Sequence, residues 1–159
     1  MDYAPVHLIT SATVDELGTE HVRYRPNLVL EASPDTPPFV ENSWVGRELH
    51  VIGAEGGTAV LRVSLPTPRC AVPTLEHGLL PRAPHAVRAL MSSNRVDVPG
   101  FGVLPCAGCY AEVLGVGTCG WGMRWCCDDG RWAASARTDG GASDDVAGAA
   151  RVQQRPADR

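Results

Sequence analysis

Apolar and polar positions alternate most clearly at Leu61, Val63 and Leu65, interleaved with Arg62 and Ser64. That period-two pattern predicts a half-buried strand. The two prolines of Pro66-Thr67-Pro68-Arg69-Cys70 are expected to stop its ladder. Upstream, Leu28-Val29-Leu30 predicts a short strand ahead of the turn-rich Ser33-Pro34-Asp35-Thr36-Pro37-Pro38. Arg47 to Ile52 reads as a strand closed by Gly53, with Gly56-Gly57 as a hairpin-like turn, and Tyr110 to Leu114 as a last strand. Helical signals are few. Thr13-Val14-Asp15-Glu16 fits a capping box, with Thr13 as N-cap of a short helix through Leu17. Pro84 suits the first turn of a helix over 84–91, where Val87, Leu90 and Met91 share a face. Many short strands with few short helices predict an α+β domain built like a β-barrel.

The chain has 159 residues, 44% hydrophobic and 20% charged, with a formal net charge of −4. That is single-domain size and weakly acidic, with no basic stripe for nucleic acid. No apolar run approaches the roughly 18 residues of a membrane helix, so no membrane partner is expected. Met1 to Glu20 lacks a basic-then-apolar leader, and the expected compartment is cytoplasmic. All 14 basic residues are arginine, so no side chain can form a Schiff base and covalent pyridoxal phosphate chemistry is excluded.

Cysteine is distributed unevenly. Cys70 precedes Cys106, Cys109, Cys119, Cys126 and Cys127, which crowd together and are read as reduced thiols. Cys106-Ala107-Gly108-Cys109 is a C-x-x-C that invites a zinc reading, without a second properly spaced pair. From Cys119 the chain carries Trp121, Trp125 and Trp132, and no Leu, Ile or Phe follows Leu114. Ala133 to Arg159 is too poor in apolar residues to bury a core and is expected to be disordered.

Three motifs carry a resemblance. Arg23-Tyr24-Arg25-Pro26-Asn27-Leu28-Val29-Leu30, then Trp44-Val45-Gly46, then Pro66-Thr67-Pro68-Arg69-Cys70 resemble the MOSC family. These domains are similar to the C-terminal part of molybdenum-cofactor sulfurases and to the mitochondrial amidoxime-reducing component. Leu8 to Thr13 leads in the same order and Phe101 to Thr118 supplies a closing strand, so the likeness spans about Pro5 to Thr118. It implies a β-barrel-like fold and a site for the pterin-based molybdenum cofactor. Cys70 matches the cysteine that serves as metal ligand or sulfur carrier, the catalytic position. Arg25, Asn27, Thr10, Thr13 and Arg69 match positions that approach the pterin or its phosphate, and Tyr110 falls where an aromatic lies beside the cofactor. Partners implied are a small-molecule substrate or sulfur acceptor and an electron-transfer protein.

Against the family pattern, residues 1–118 read as a partial domain lacking its first part, and 119–159 as an aberrant tail. Members continue with a Val-Arg-Val-Gly-Asp type strand. Written in G/C-rich codons and shifted by one base, the residues from Cys119 encode Val-Arg-Val-Gly-Asp-Ala-Val-Val-Leu, so a single lost base is one account of the tail. An inactive fragment is therefore the alternative to a cofactor protein.

Each site residue also has a plain structural reading. A thiolate binds metal or carries sulfur, and Arg69 supplies a cation beside Cys70, yet a lone cysteine after a strand is commonly inert. Arg25 and Arg69 offer planar forks for phosphate, or surface ion pairs with Glu31, Glu41 or Glu48. Asn27 suits a turn, Thr10 and Thr13 a helix start, and Tyr110 a half-buried strand.

Overall fold

The structure, a computed structural model, describes residues 4–52, 58–115, 123–127 and 134–137. Within them lie eight strands: β1 (Val6–Thr10), β2 (Leu28–Leu30), β3 (Glu48–Ile52), β4 (Thr58–Pro68), β5 (Arg95–Val98), β6 (Gly102–Gly115), β7 (Met123–Cys127) and β8 (Ala134–Arg137). Two helices, α1 (Ser11–Leu17) and α2 (His85–Ser93), join them, with single 3₁₀ turns at His21–Tyr24, Val40–Trp44 and Val72–Thr74. The sheet order is β1-β2-β8-β7-β3-β4-β6-β5, and β1 pairs with β6 as well as β2, which curls the sheet on itself. Only β1–β2 is parallel among these pairings. This is the expected α+β, barrel-like arrangement. No helix among the described residues is long and apolar enough to cross a membrane.

Alternation along β1 divides its packing between two of the three core clusters. Leu8 of β1 lies with Leu30, Trp44, Leu49, Leu61, Val63, Cys109 and Ala111 inside the curl. Ile9, the next residue, points the other way and packs with Leu17, Tyr24, Ala86, Leu90 and Ala107 beneath the helices. On α2 the buried residues are Ala86 and Leu90, four apart on one helical face, and Ala83 just before the helix is buried with them. Met91, expected on that face, is 50% exposed.

Three local expectations change. Thr10, not Thr13, caps α1: its Oγ1 accepts the Thr13 N–H at 3.2 Å, which places Thr13 in the first turn. Pro66 does not stop the ladder: it pairs with Cys109, and β4 ends at the second proline, Pro68, which lies opposite Cys106 after a register shift. β3 accompanies β4 only as far as Arg62, so the missing proline N–H groups fall where no second ladder asks for them. Third, β6 runs far longer than Tyr110–Leu114, and it pairs with β5, a strand not expected. The turn at Gly53 and Gly56-Gly57 lies outside the described residues, as does most of 119–159. Two pieces of that tail do form ladders, β7 on β3 and β8 on β2 and β7. Backbone amides pair whatever side chains accompany them.

A buried carboxylate holds the α1 start. Glu41 is 0% exposed; its Oε1 accepts the Thr10 N–H at 2.7 Å and the Thr10 hydroxyl at 2.9 Å, and its Oε2 accepts the Thr13 hydroxyl at 2.8 Å. Thr13 Oγ1 in turn accepts the Phe39 N–H at 2.7 Å. Burial pushes the Glu41 carboxyl above its ordinary value of 4.5, against the pull of these hydrogen bonds. Removing the acceptor in Glu41→Ala should cost about 3 kcal/mol by leaving buried donors unmatched, measured by urea unfolding. An unfolded Glu41 loses its proton near pH 4.5 while the folded one holds it longer. Its contribution to stability therefore falls as pH rises above 4.5, and the Glu41→Gln variant should lack that slope.

Candidate cofactor site

β4 ends at Pro68, and the chain continues through Arg69 to Cys70, whose side chain is exposed. The Arg69 N–H donates to the Pro105 carbonyl at 2.8 Å and prolongs the ladder one step beyond the strand. Its guanidinium turns inward. Nε donates to the Ala107 carbonyl at 3.1 Å, Nη2 to the same oxygen at 2.6 Å, and Nη1 to the Tyr24 carbonyl at 2.8 Å. It also lies over the Tyr24 ring, 5.6 Å from its centroid. Nη2 makes a further short contact to Nε2 of His7. Burial lowers Arg69 to about 10, which leaves it charged at neutral pH.

His7 is the residue that motif reading missed. The Nδ1 atom of its ring lies 3.3 Å from the Arg25 carbonyl, and its edge meets the Tyr110 ring at 5.8 Å and 61°. Its backbone N–H donates to Asn27 Oδ1 at 2.7 Å, and its carbonyl accepts the Asn27 N–H at 2.7 Å. Burial first, then the Arg69 charge, lower His7 to about 3, so the ring is neutral. No local window could reveal it, because its partners lie far along the chain; a polar residue opening an apolar strand was the one available signal.

The Arg-Pro-Asn turn is strained. Arg25 precedes a proline yet adopts a left-handed backbone, φ 52° and ψ 50°. That conformation turns its carbonyl toward His7 and leaves its guanidinium exposed. On the far side of Cys70, the buried Arg23 pairs with Glu20 at 2.6 Å and donates to the Leu75 carbonyl at 3.2 Å, fastening the turn that follows. This pairing holds the Glu20 carboxyl down at about 2.

The expected site residues therefore divide. Arg25, Asn27, Arg69 and Tyr110 gather around His7, with Cys70 next to Arg69. Thr10 and Thr13 sit apart from them in hydrogen bonding, engaged with Glu41. The ion pairs weighed for the arginines do not form with Glu48, which meets Arg62 at 2.8 Å, or with the buried Glu41. Cys106 and Cys109 belong to different core clusters, and no group of three His, Cys, Asp or Glu side chains fit for a metal ion occurs among the described residues. Burial pushes Cys106 up to about 11.

A family model described as MOSC domain matches residues 1–123. The chain belongs to the MOSC domain family. No curated protein matches the sequence. MOSC domains are linked in general to the molybdenum cofactor, and the donor set fits such a group in part. Cys70 offers an exposed thiol, a soft ligand suited to molybdenum or a persulfide. Arg25 offers an exposed cation, and Thr67 Oγ1, three residues before Cys70, is a buried hydroxyl without a partner.

Gly108 makes the arrangement possible. Its φ is +73°, and a Cβ there would lie 2.2 Å from the Leu8 carbonyl oxygen and 2.7 Å from His7 Nε2. Gly108→Ala should destabilise the domain by about 2–5 kcal/mol, combining left-handed strain with overpacking, as read by denaturant titration.

Proposed function

We propose that this MOSC domain binds the pterin-based molybdenum cofactor, with Cys70 as the metal thiolate or, in a carrier form, as the bearer of a persulfide. The observation that carries the reading is the exposed Cys70 thiol, on the residue that follows an anchored arginine, while Cys106 and Cys109 are buried. Arg25 is positioned to meet a phosphate or pterin oxygen from solvent, and Thr67 would supply a hydroxyl. Arg69 has its donors engaged within the protein and serves to hold the Cys70 segment. Asn27 holds the Arg-Pro-Asn turn against β1 in the same way. When bound, the cofactor supplies oxygen-atom transfer at its metal for reduction of a small N-hydroxylated substrate. The reductive form needs an electron-transfer partner; the carrier form needs a sulfur acceptor. In protein produced with the cofactor, Cys70→Ser should lower bound molybdenum by at least about tenfold, measured by elemental analysis with pterin fluorescence as a control. Wild-type molybdenum in that variant would sink the ligand role, and sulfide release without metal would favour the carrier.

A second reading is an inactive fragment with an altered frame after Thr118. It is favoured by the change of composition after Thr118, where no Leu, Ile or Phe occurs. Sequencing the DNA across the Thr118 and Cys119 codons tests it. One additional base restoring Val-Arg-Val-Gly-Asp supports the altered frame, and codons that read Cys-Gly-Trp-Gly-Met with no such base refute it.

A further inference from the structure

We propose that His7 is a positioning residue: its neutral ring, protonated on Nδ1, joins the Arg25-Pro26-Asn27 turn to the Arg69-Cys70 segment and fixes where the Cys70 thiol is presented. The proposal builds on the reading of Cys70 as the reactive thiol. Four of the residues singled out for the site touch His7, through its ring or its backbone: Arg25, Asn27, Arg69 and Tyr110. A guanidinium can only donate, so the ring nitrogen facing it must accept. Nε2 is the nearer nitrogen to Arg69 Nη2; it also lies 3.3 Å from the Ala107 carbonyl, but that oxygen already accepts from Arg69 Nε and Nη2, which leaves the proton on Nδ1, opposite the Arg25 carbonyl, which can only accept. Arg69 Nη2 has two hydrogens, one for Nε2 and one for the Ala107 carbonyl. Both ring nitrogens and both arginine hydrogens are thereby matched. A lone aromatic ring would fill the same space without orienting the guanidinium, and Arg69 is the residue immediately before Cys70, so anchoring its side chain anchors the backbone that carries the thiol.

Two measurements test this. Nitrogen-15 shifts of the unsubstituted protein at neutral pH should show His7 neutral with its proton on Nδ1. An Nε2-protonated or doubly protonated ring would overturn the proposal, and this reading does not depend on any variant folding. The second follows Cys70 labelling in protein free of cofactor, with anionic iodoacetate against neutral iodoacetamide. Trypsin releases Cys70 on the fragment 70–82, which contains no other cysteine. A cation held on the residue before the thiol is expected to favour the anionic reagent. In a folded His7→Asn variant, which reaches only the Nδ1 position, that preference should fall about threefold. His7→Gln places an acceptor at the Nε2 position and should keep it. A folded His7→Asn variant with the wild-type preference would overturn the proposal. Because labelling is done without cofactor, failure to bind molybdenum leaves this test untouched, and the molybdenum assay does not depend on the tautomer.

Discussion

The half-buried side chain of Arg69 is the contact on which the rest of the site depends. Its fork reaches the Ala107 carbonyl from β6, the Tyr24 carbonyl from the turn after α1 and the His7 ring from β1, so three remote segments meet at one group. A charge taken out of water is tolerable only when its hydrogens are matched, and here carbonyl dipoles, an imidazole lone pair and the Tyr24 ring perform that task. A lysine could not replace it, because a compact ammonium cannot address three directions in one plane. The Ala107 carbonyl in turn faces Arg69 beside a left-handed Gly108, and that backbone has no room for a Cβ.

Strand β1 carries a polar network at each end and apolar residues between them. At its start, His7 organises the segments around Cys70; at its finish, Thr10 delivers its N–H and hydroxyl to Glu41. The first network sits beside exposed groups, Cys70 and Arg25, and stores strain in the Arg25 backbone. The second is sealed, with Glu41, Thr10 and Thr13 all fully buried. That contrast separates a place where a ligand can approach from one that holds helix α1 on the sheet. It also explains why two threonines in a cofactor-like position act here as partners of a carboxylate.

What was legible in the sequence was whatever has a short period. Leu61, Val63 and Leu65 announced their strand because one face is buried and the other is not. The Arg-Pro-Asn and Pro-x-x-Arg-Cys motifs announced the family and most of the residues that cluster. Expectations failed where a rule about an isolated element met its neighbours. Prolines stop a ladder only if the ladder needs their N–H, and beyond Arg62 it does not. β6 is long but rich in Gly, Pro and Cys, so no alternation marked it. Glu41 looked like a surface ion-pair partner because a charged side chain usually is one; its burial follows from Thr10 and Thr13, which local windows cannot pair with it. His7 was invisible for the same reason.

The tail and the site concern different parts of the molecule. The contacts that join His7 to Arg25, Asn27, Arg69 and Tyr110 are made by β1, β6 and the turns after α1 and β4, all before Gly115. Segments after that point reach the sheet as β7 on β3 and β8 on β2, away from β4 and β6. Their ladders satisfy backbone groups that would otherwise form open edges, and an open edge invites aggregation. Such pairing is indifferent to side chains, so a strand written in either frame can close it. Packing is not indifferent: burying the inner face of a curled sheet needs apolar volume, and β-branched or leucine side chains supply it better than a tract of Ala, Gly, Asp and Arg. An altered frame would therefore weaken the closure of the sheet first, and act on Cys70 only through the stability of the whole domain.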